Sequence, residues 1–184
     1  MPIRIHIPAG SESYDSEKNE FVTVDKDISF VLEHSLISIQ KWEQKWHIPF
    51  LNNSRPKTAE QMRDYVCCMS VSREIDPRYV PMIPASEMKR VEAYIADPMT
   101  ATTIKRRPGK KGPNEIKTAE VLYSDMIMLG IPFECRKWHL NSLVMLIRVC
   151  SEKQAPPQKM NRKETGNYYS ELNKARKKAW HTKG

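Results

Sequence analysis

Cys135 and His139 stand four residues apart, a spacing that would place a thiolate and an imidazole on one face of a helix, within reach of a single zinc ion. His47, Cys67 or Cys68 could complete a tetrahedron, but the chain has no pair of cysteines two residues apart and no second Cys/His pair. The competing reading, a buried thiol beside a hydrogen-bonded imidazole, needs no further ligands and is preferred. Glu33, His34 and Glu134 are of the right type for general acid or base work. No nucleophile elbow, phosphate loop, dinucleotide fingerprint or zinc-protease helix accompanies them. Nothing converges from several segments, so the expectation is a non-enzyme without metal or cofactor. The aromatic residues Trp42, Trp46, Phe50, Phe133 and Trp138 could line a groove, although at element ends they serve more often as core anchors. Trp46 and Trp138 are the two expected to keep an exposed edge for a partner.

Charge is unevenly placed. The net charge is +8, yet residues 105–117 carry +5 and residues 153–183 carry +7, leaving −4 on the remainder. The basicity therefore belongs to a loop and a tail. Lys105, Arg106, Arg107, Lys110 and Lys111 of the loop, with Lys174, Arg176, Lys177 and Lys178 of the tail, are candidates to meet phosphates or an acidic protein surface. Tyr168 and Tyr169 beside the tail cations could stack on bases. No recognised nucleic-acid motif is present, so nucleic acid is the second reading. No apolar run approaches the roughly 20 residues that span a bilayer. The alternating start MPIRIHIPAG does not read as a signal peptide, which points to a cytoplasmic protein with free thiols and no membrane partner.

The elements that must position these residues follow from periodicity. Ile3, Ile5 and Ile7 alternate with Arg4 and His6, predicting a half-buried strand; residues 20–24 and 28–32 predict two more, and residues 9–19 a loop. Leu36, Ile39, Trp42 and Trp46 mark a helix ending before Pro49. Thr58 and Gln61 fit a capping box for a helix to about Ser70, and Ser86 is placed to cap another through Ala96. The stretch 118–150 predicts an αα-hairpin: a helix from Ala119 to Leu129 with Thr118 as N-cap, a stop at Gly130-Ile131-Pro132, and a second helix from Glu134 to Cys150 buried on several sides. The expected fold is α+β and mostly α. A small N-terminal antiparallel sheet (1–34) precedes a helical body (35–150) that is organised on the hairpin and carries a mobile loop at 105–113. A linker (151–160) and a flexible basic C-terminal helix (161–184) complete the chain.

In that last segment Tyr168, Leu172, Ala175 and Ala179 follow spacings of four, three and four, so they line one side of a helix that could dock on a partner.

Five segments, WEQKWHIPFL (42–51), DPMTATT (97–103), IPFECRKWHLN (131–141), LIRVC (146–150) and PPQKM (156–160), together resemble the tail assembly chaperones encoded among the tail genes of long-tailed bacteriophages. The resemblance extends over most of residues 20–184. It implies a non-catalytic helper in the host cytoplasm, absent from the finished virion. Such a helper keeps the long apolar helices of the tape measure protein soluble and helps the major tail (tube) protein polymerise around it. It carries over no functional residue. A nucleic-acid-binding protein and a structural tail or head–tail component are the alternatives, and a homo-oligomer fits any of the three.

Overall fold

The structure is a computed structural model that describes residues 2–15, 18–52, 56–71, 73–104, 116–154 and 162–180. The fold is α+β and mostly α. Two compact units divide it, Met1–Glu152 and Lys153–Gly184.

The alternation read at the N-terminus is a strand, β1 (Ile3–Ile7), with Ile5 and Ile7 buried and Arg4 and His6 outside. It pairs antiparallel with a strand at Ile28–Leu32, setting Ile5 opposite Phe30 and Ile3 opposite Leu32, so one face of the ribbon is apolar. Residues 9–19, expected as loop, contain a further strand, β2 (Glu12–Asp15), paired antiparallel with β3 (Glu20–Thr23). The Ile28–Leu32 strand is therefore β4. The single three-stranded sheet suggested by the sequence is instead two separate two-stranded ribbons, β1–β4 and β2–β3. The polar sequence of β2 has no apolar alternation to betray it; its pairing with β3 makes it a strand. The other edge of β4 is covered where Val71 N–H donates to Val31 C=O at 2.9 Å and Glu33 N–H to Met69 C=O at 2.8 Å.

Helix α1 (Leu36–Trp46) follows β4 directly, with Ser35 as N-cap and His47 left-handed at its end. It is the element on which the others pack: α2 (Ala59–Cys68), the helix α4 (Ala119–Met128) and a 3-10 helix at Phe133–Lys137 all contact it. Leu36, Ile39 and Trp42 are fully buried, and the Trp42 indole N–H donates to Gln61 C=O at 2.8 Å. This shifts the centre of the body from the expected 118–150 hairpin to α1. Helix α2 begins with the complete capping box of Thr58 and Gln61. A 3-10 helix at Pro77–Met82 joins it to α3 (Ala85–Ala96). Ser86 does not cap α3. The helix starts at Ala85, two residues before the start that a Ser86 cap would give, with Pro84 as N-cap and no side-chain cap.

The second half of the expected hairpin differs most. The continuous helix from Glu134 to Cys150 is instead the 3-10 helix Phe133–Lys137, an extended Trp138 and His139, and then α5 (Leu140–Gln154). His139 bridges to Ser35, and Leu140 N–H donates to His34 C=O at 2.7 Å. These bonds to the β4–α1 junction hold residues 138–139 out of helical conformation. Leu140, Leu143 and Ile147 of α5 are buried, and Val144, Leu146 and Cys150 are half-buried against the core. The helix also runs to Gln154, through the first residues of the expected linker.

In the second unit α6 spans Arg162–Trp180, and none of its described side chains is buried. Among the described residues no helix is long and apolar enough to cross a membrane.

Candidate functional site

The residues with the most chemistry in them meet in the interior. Glu33, His34, Ser35, Ser38, Glu43 and His139 are all buried, a concentration of polar side chains at the junction of β4 and α1. Ser38 Oγ donates to Glu33 C=O at 2.7 Å, closing the first turn of α1. The Tyr94 hydroxyl of α3 donates to Glu33 Oε1 at 2.5 Å. The Tyr65 hydroxyl of α2 meets His34 Nδ1, and the rings of His34 and His139 lie 5.1 Å apart, edge to face.

The protonation states follow from the partners. His139 Nε2 lies 3.0 Å from Tyr94 C=O, which can only accept, so the proton is on Nε2. His139 Nδ1 accepts the Asn141 N–H at 3.3 Å, which fits the same neutral tautomer. Burial, aided by nearby charge, holds the Tyr65 phenol well above its ordinary range, so it remains a donor and His34 Nδ1 the acceptor. Burial first, then the neighbouring His139, lowers His34 to about 4. Two neutral imidazoles thus sit in a closed network, and every buried side-chain nitrogen or oxygen among the described residues has a hydrogen-bond partner.

What the network does is tie elements together. His139, Asn141 and Ser142, at the start of α5, bind the last turn of α3 and the residues after it. Asn141 Nδ2 donates to Ile95 C=O at 3.1 Å and to Asp97 C=O at 2.6 Å, and Ser142 Oγ to Met99 C=O at 2.7 Å. The orphan carbonyls at the end of α3 are satisfied by side chains from another helix. Glu43 acts likewise: Oε1 accepts the Phe50 N–H and Oε2 the Ala119 N–H, each at 2.7 Å, so one carboxylate fixes the turn after α1 and the first residue of α4. Burial raises its pKa, against the pull of those two N–H groups. Glu43 was missed in the sequence. The signal was an acid at the place of an apolar residue in the series Leu36, Ile39, Glu43, Trp46.

Cys135 and His139 do not share a helix face. Cys135 is in the 3-10 helix, its thiol raised by burial, and both ring nitrogens of His139 are engaged by protein groups. Among the described residues no group of three or more His, Cys, Asp or Glu side chains could hold a metal ion.

The surface counterpart lies on the same elements. Ile127 is 64% exposed, Met128 78%, Phe133 49% and Trp138 49%, all where α4 ends and the 3-10 helix follows. This backbone is locked. Gly130 takes the left-handed conformation expected of it, Ile131 N–H donates to Met126 C=O at 2.9 Å, and Gly130 N–H to Ile127 C=O at 3.2 Å, a Schellman closure. Met126, Ile131 and Cys135 point inward between the exposed residues. Tyr123 lies 6.3 Å from the Phe133 ring and donates its hydroxyl to Gln40 of α1 at 3.0 Å. The exposed apolar side chains therefore stand on a corner held from beneath.

Of the partner-binding residues named from the sequence, Trp138 belongs to this corner. Trp46 does not. It is half-buried beside α2, its N–H donating to Asp64 Oδ2 at 3.0 Å and its ring 6.3 Å from Trp42. Tyr168, Leu172, Ala175 and Ala179 do share one side of α6, with Tyr168 and Tyr169 exposed. Lys174 and Lys177 lie away from that side, whereas Arg176 falls beside it, between the angular positions of Leu172 and Tyr169, and Lys178 flanks its other edge. Lys105, Arg106, Arg107, Lys110 and Lys111 lie outside the described residues. Ile127 and Met128 were not singled out in the sequence, since alternate helix positions of one apolar run look alike until one face is covered. Comparison with protein families, curated proteins and solved structures finds no match.

Proposed function

We propose that this chain is a non-catalytic binding protein for apolar helices, a tail assembly chaperone that holds the tape measure protein of a long-tailed phage. One observation carries the reading: Ile127, Met128, Phe133 and Trp138 are each about half exposed or more, on the stretch that runs from the end of α4 through the Schellman closure to the residue after the 3-10 helix. Exposed apolar side chains of this size are candidates to meet an apolar partner. Methionine and aromatic side chains suit varied apolar partners, one by flexibility and the other by area. The resemblance of IPFECRKWHLN and its companion segments supplies the phage context. The buried histidine network serves this corner by anchoring the start of α5 immediately after Trp138.

The test is co-expression with the tape measure protein of the same phage. The wild-type chain should keep that protein soluble and co-purify with it. Phe133→Ser combined with Trp138→Ser should abolish both, with an unchanged far-ultraviolet circular dichroism spectrum. A tape measure protein that is equally insoluble with and without this chain would defeat the proposal. Mass spectrometry of purified virions separates a chaperone from a structural tail component, because only the latter stays in the particle.

A further inference from the structure

We infer that α6 pairs antiparallel with the α6 of a second copy of this chain. Its residues follow a heptad register in which Tyr168 and Ala175 take d positions and Leu172 and Ala179 take a positions. The helix is 19 residues long, about 28 Å, and none of its described side chains is buried within the chain. A lone helix of that length is marginal in water unless its apolar side is covered.

Two arrangements of two α6 helices are open, and the side chains discriminate between them. In a parallel pair each residue meets itself: Tyr168 on Tyr168, Leu172 on Leu172, then two alanine layers. The seam would be wide at one end and narrow at the other. In an antiparallel pair a positions face d positions. Leu172 then lies opposite the partner's Ala175 and Tyr168 opposite the partner's Ala179, and the two-fold axis repeats both contacts. Every layer holds one large and one small residue, which keeps the helices at one spacing along their length.

The flanking residues agree with the same arrangement. Glu171 and Lys178 occupy g positions, and in the antiparallel pair they face each other twice. Tyr169 and Arg176 occupy e positions and also face each other twice, an aromatic face against a guanidinium. Arg176 and Lys178 are the two described tail cations that flank the apolar side of α6, where the notion of a purely solvating tail gives them no role. Glu171, Arg176 and Lys178 enter no ion pair among the described residues, so they are available for these contacts. Lys174 and Lys177 fall at c and f positions, away from the seam, where their mutual repulsion does not oppose association. A dimer formed this way carries two copies of the apolar corner and would hold a long partner more tightly than one copy does.

Sedimentation velocity of the full chain over a range of concentrations tests the pairing. Association should be weak and concentration-dependent, because the seam is short and half of it is alanine. Leu172→Asp should abolish it. Glu171→Lys replaces two attractive contacts by two repulsive ones and should raise the dissociation constant about tenfold. Adding Lys178→Glu to Glu171→Lys should restore the wild-type constant. In a parallel pair Glu171 would face the partner's Arg176, so rescue by Arg176→Glu in place of Lys178→Glu would overturn the antiparallel arrangement. A chain that stays monomeric at every concentration, or a dimer indifferent to Leu172→Asp, would overturn the inference altogether. Each variant changes only side chains that are not buried, so the thermal transition of the body serves as the folding control.

Discussion

The body of the protein and its terminal helix solve opposite problems with the same kinds of residue. In the body, two tyrosines and a tryptophan are buried with their polar atoms engaged: Tyr65 with His34, Tyr94 with Glu33, Trp42 with Gln61. In α6, Tyr168, Tyr169 and Trp180 all stand exposed. The body buries an acid by giving it backbone N–H groups, as Glu43 shows, whereas the described charged side chains of α6 are exposed. The comparison teaches where burial lies: every buried side chain among the described residues belongs to the body. Met1–Glu152 and Lys153–Gly184 are separate compact units, and no described side chain of α6 is buried.

The largest effect that would test this division is expected at Trp42. The side chain is fully buried at the centre of α1 and its N–H caps a carbonyl of α2, so Trp42→Ala should cost about 4 kcal/mol, through lost burial and the cavity left behind. Denaturant unfolding would measure it. A loss below about 1 kcal/mol would mean that α1 is not the packing centre.

An acid titration should show the next largest effect. Unfolded, His34 titrates near 6.5; folded, it resists protonation until about 4. Between those values the unfolded state binds more protons, so stability falls as pH drops from about 6.5 to about 4, by about 3 kcal/mol in all. The unfolding midpoints of the wild type and His34→Asn, compared at pH 7, 5 and 4, isolate this contribution. The variant should show a shallower decline, and identical slopes would refute the assignment.

The smallest effect is expected at the other end of the chain. Deleting residues 161–184 removes no buried side chain among those described, so in dilute solution the body should lose less than about 0.5 kcal/mol. A larger drop in the thermal midpoint would erase the contrast between the two regions.

Much of the local structure could be read from residue order. The alternation of Ile3, Ile5 and Ile7, the caps at Thr58 and Thr118, and the stop at Gly130 are properties of a few neighbouring residues, and each of these elements stands where those residues put it. Of the candidate site, Trp138 and Phe133 could be singled out as aromatic residues at element ends, but Trp46 could not be told from them. Its partner Asp64 is 18 residues away, on a helix whose approach no local pattern announces.

What the sequence by itself determined is therefore most of the helices and strands, several of their starts and stops, and the uneven distribution of charge, because these rest on backbone propensity, periodicity and composition. What only the tertiary structure decided is which apolar residues are covered. It also decided that residues 9–19 contain a strand, that the run from Glu134 breaks at Trp138, and that Glu43, His34 and His139 are internal ties. Each depends on a partner distant in sequence: β3 for β2, His34 for Leu140, Ala119 for Glu43 at a separation of 76 residues. A buried polar group is tolerable only where such a partner waits, and the approach of two remote segments is set by packing of the whole core, not by the residues on either side of the group.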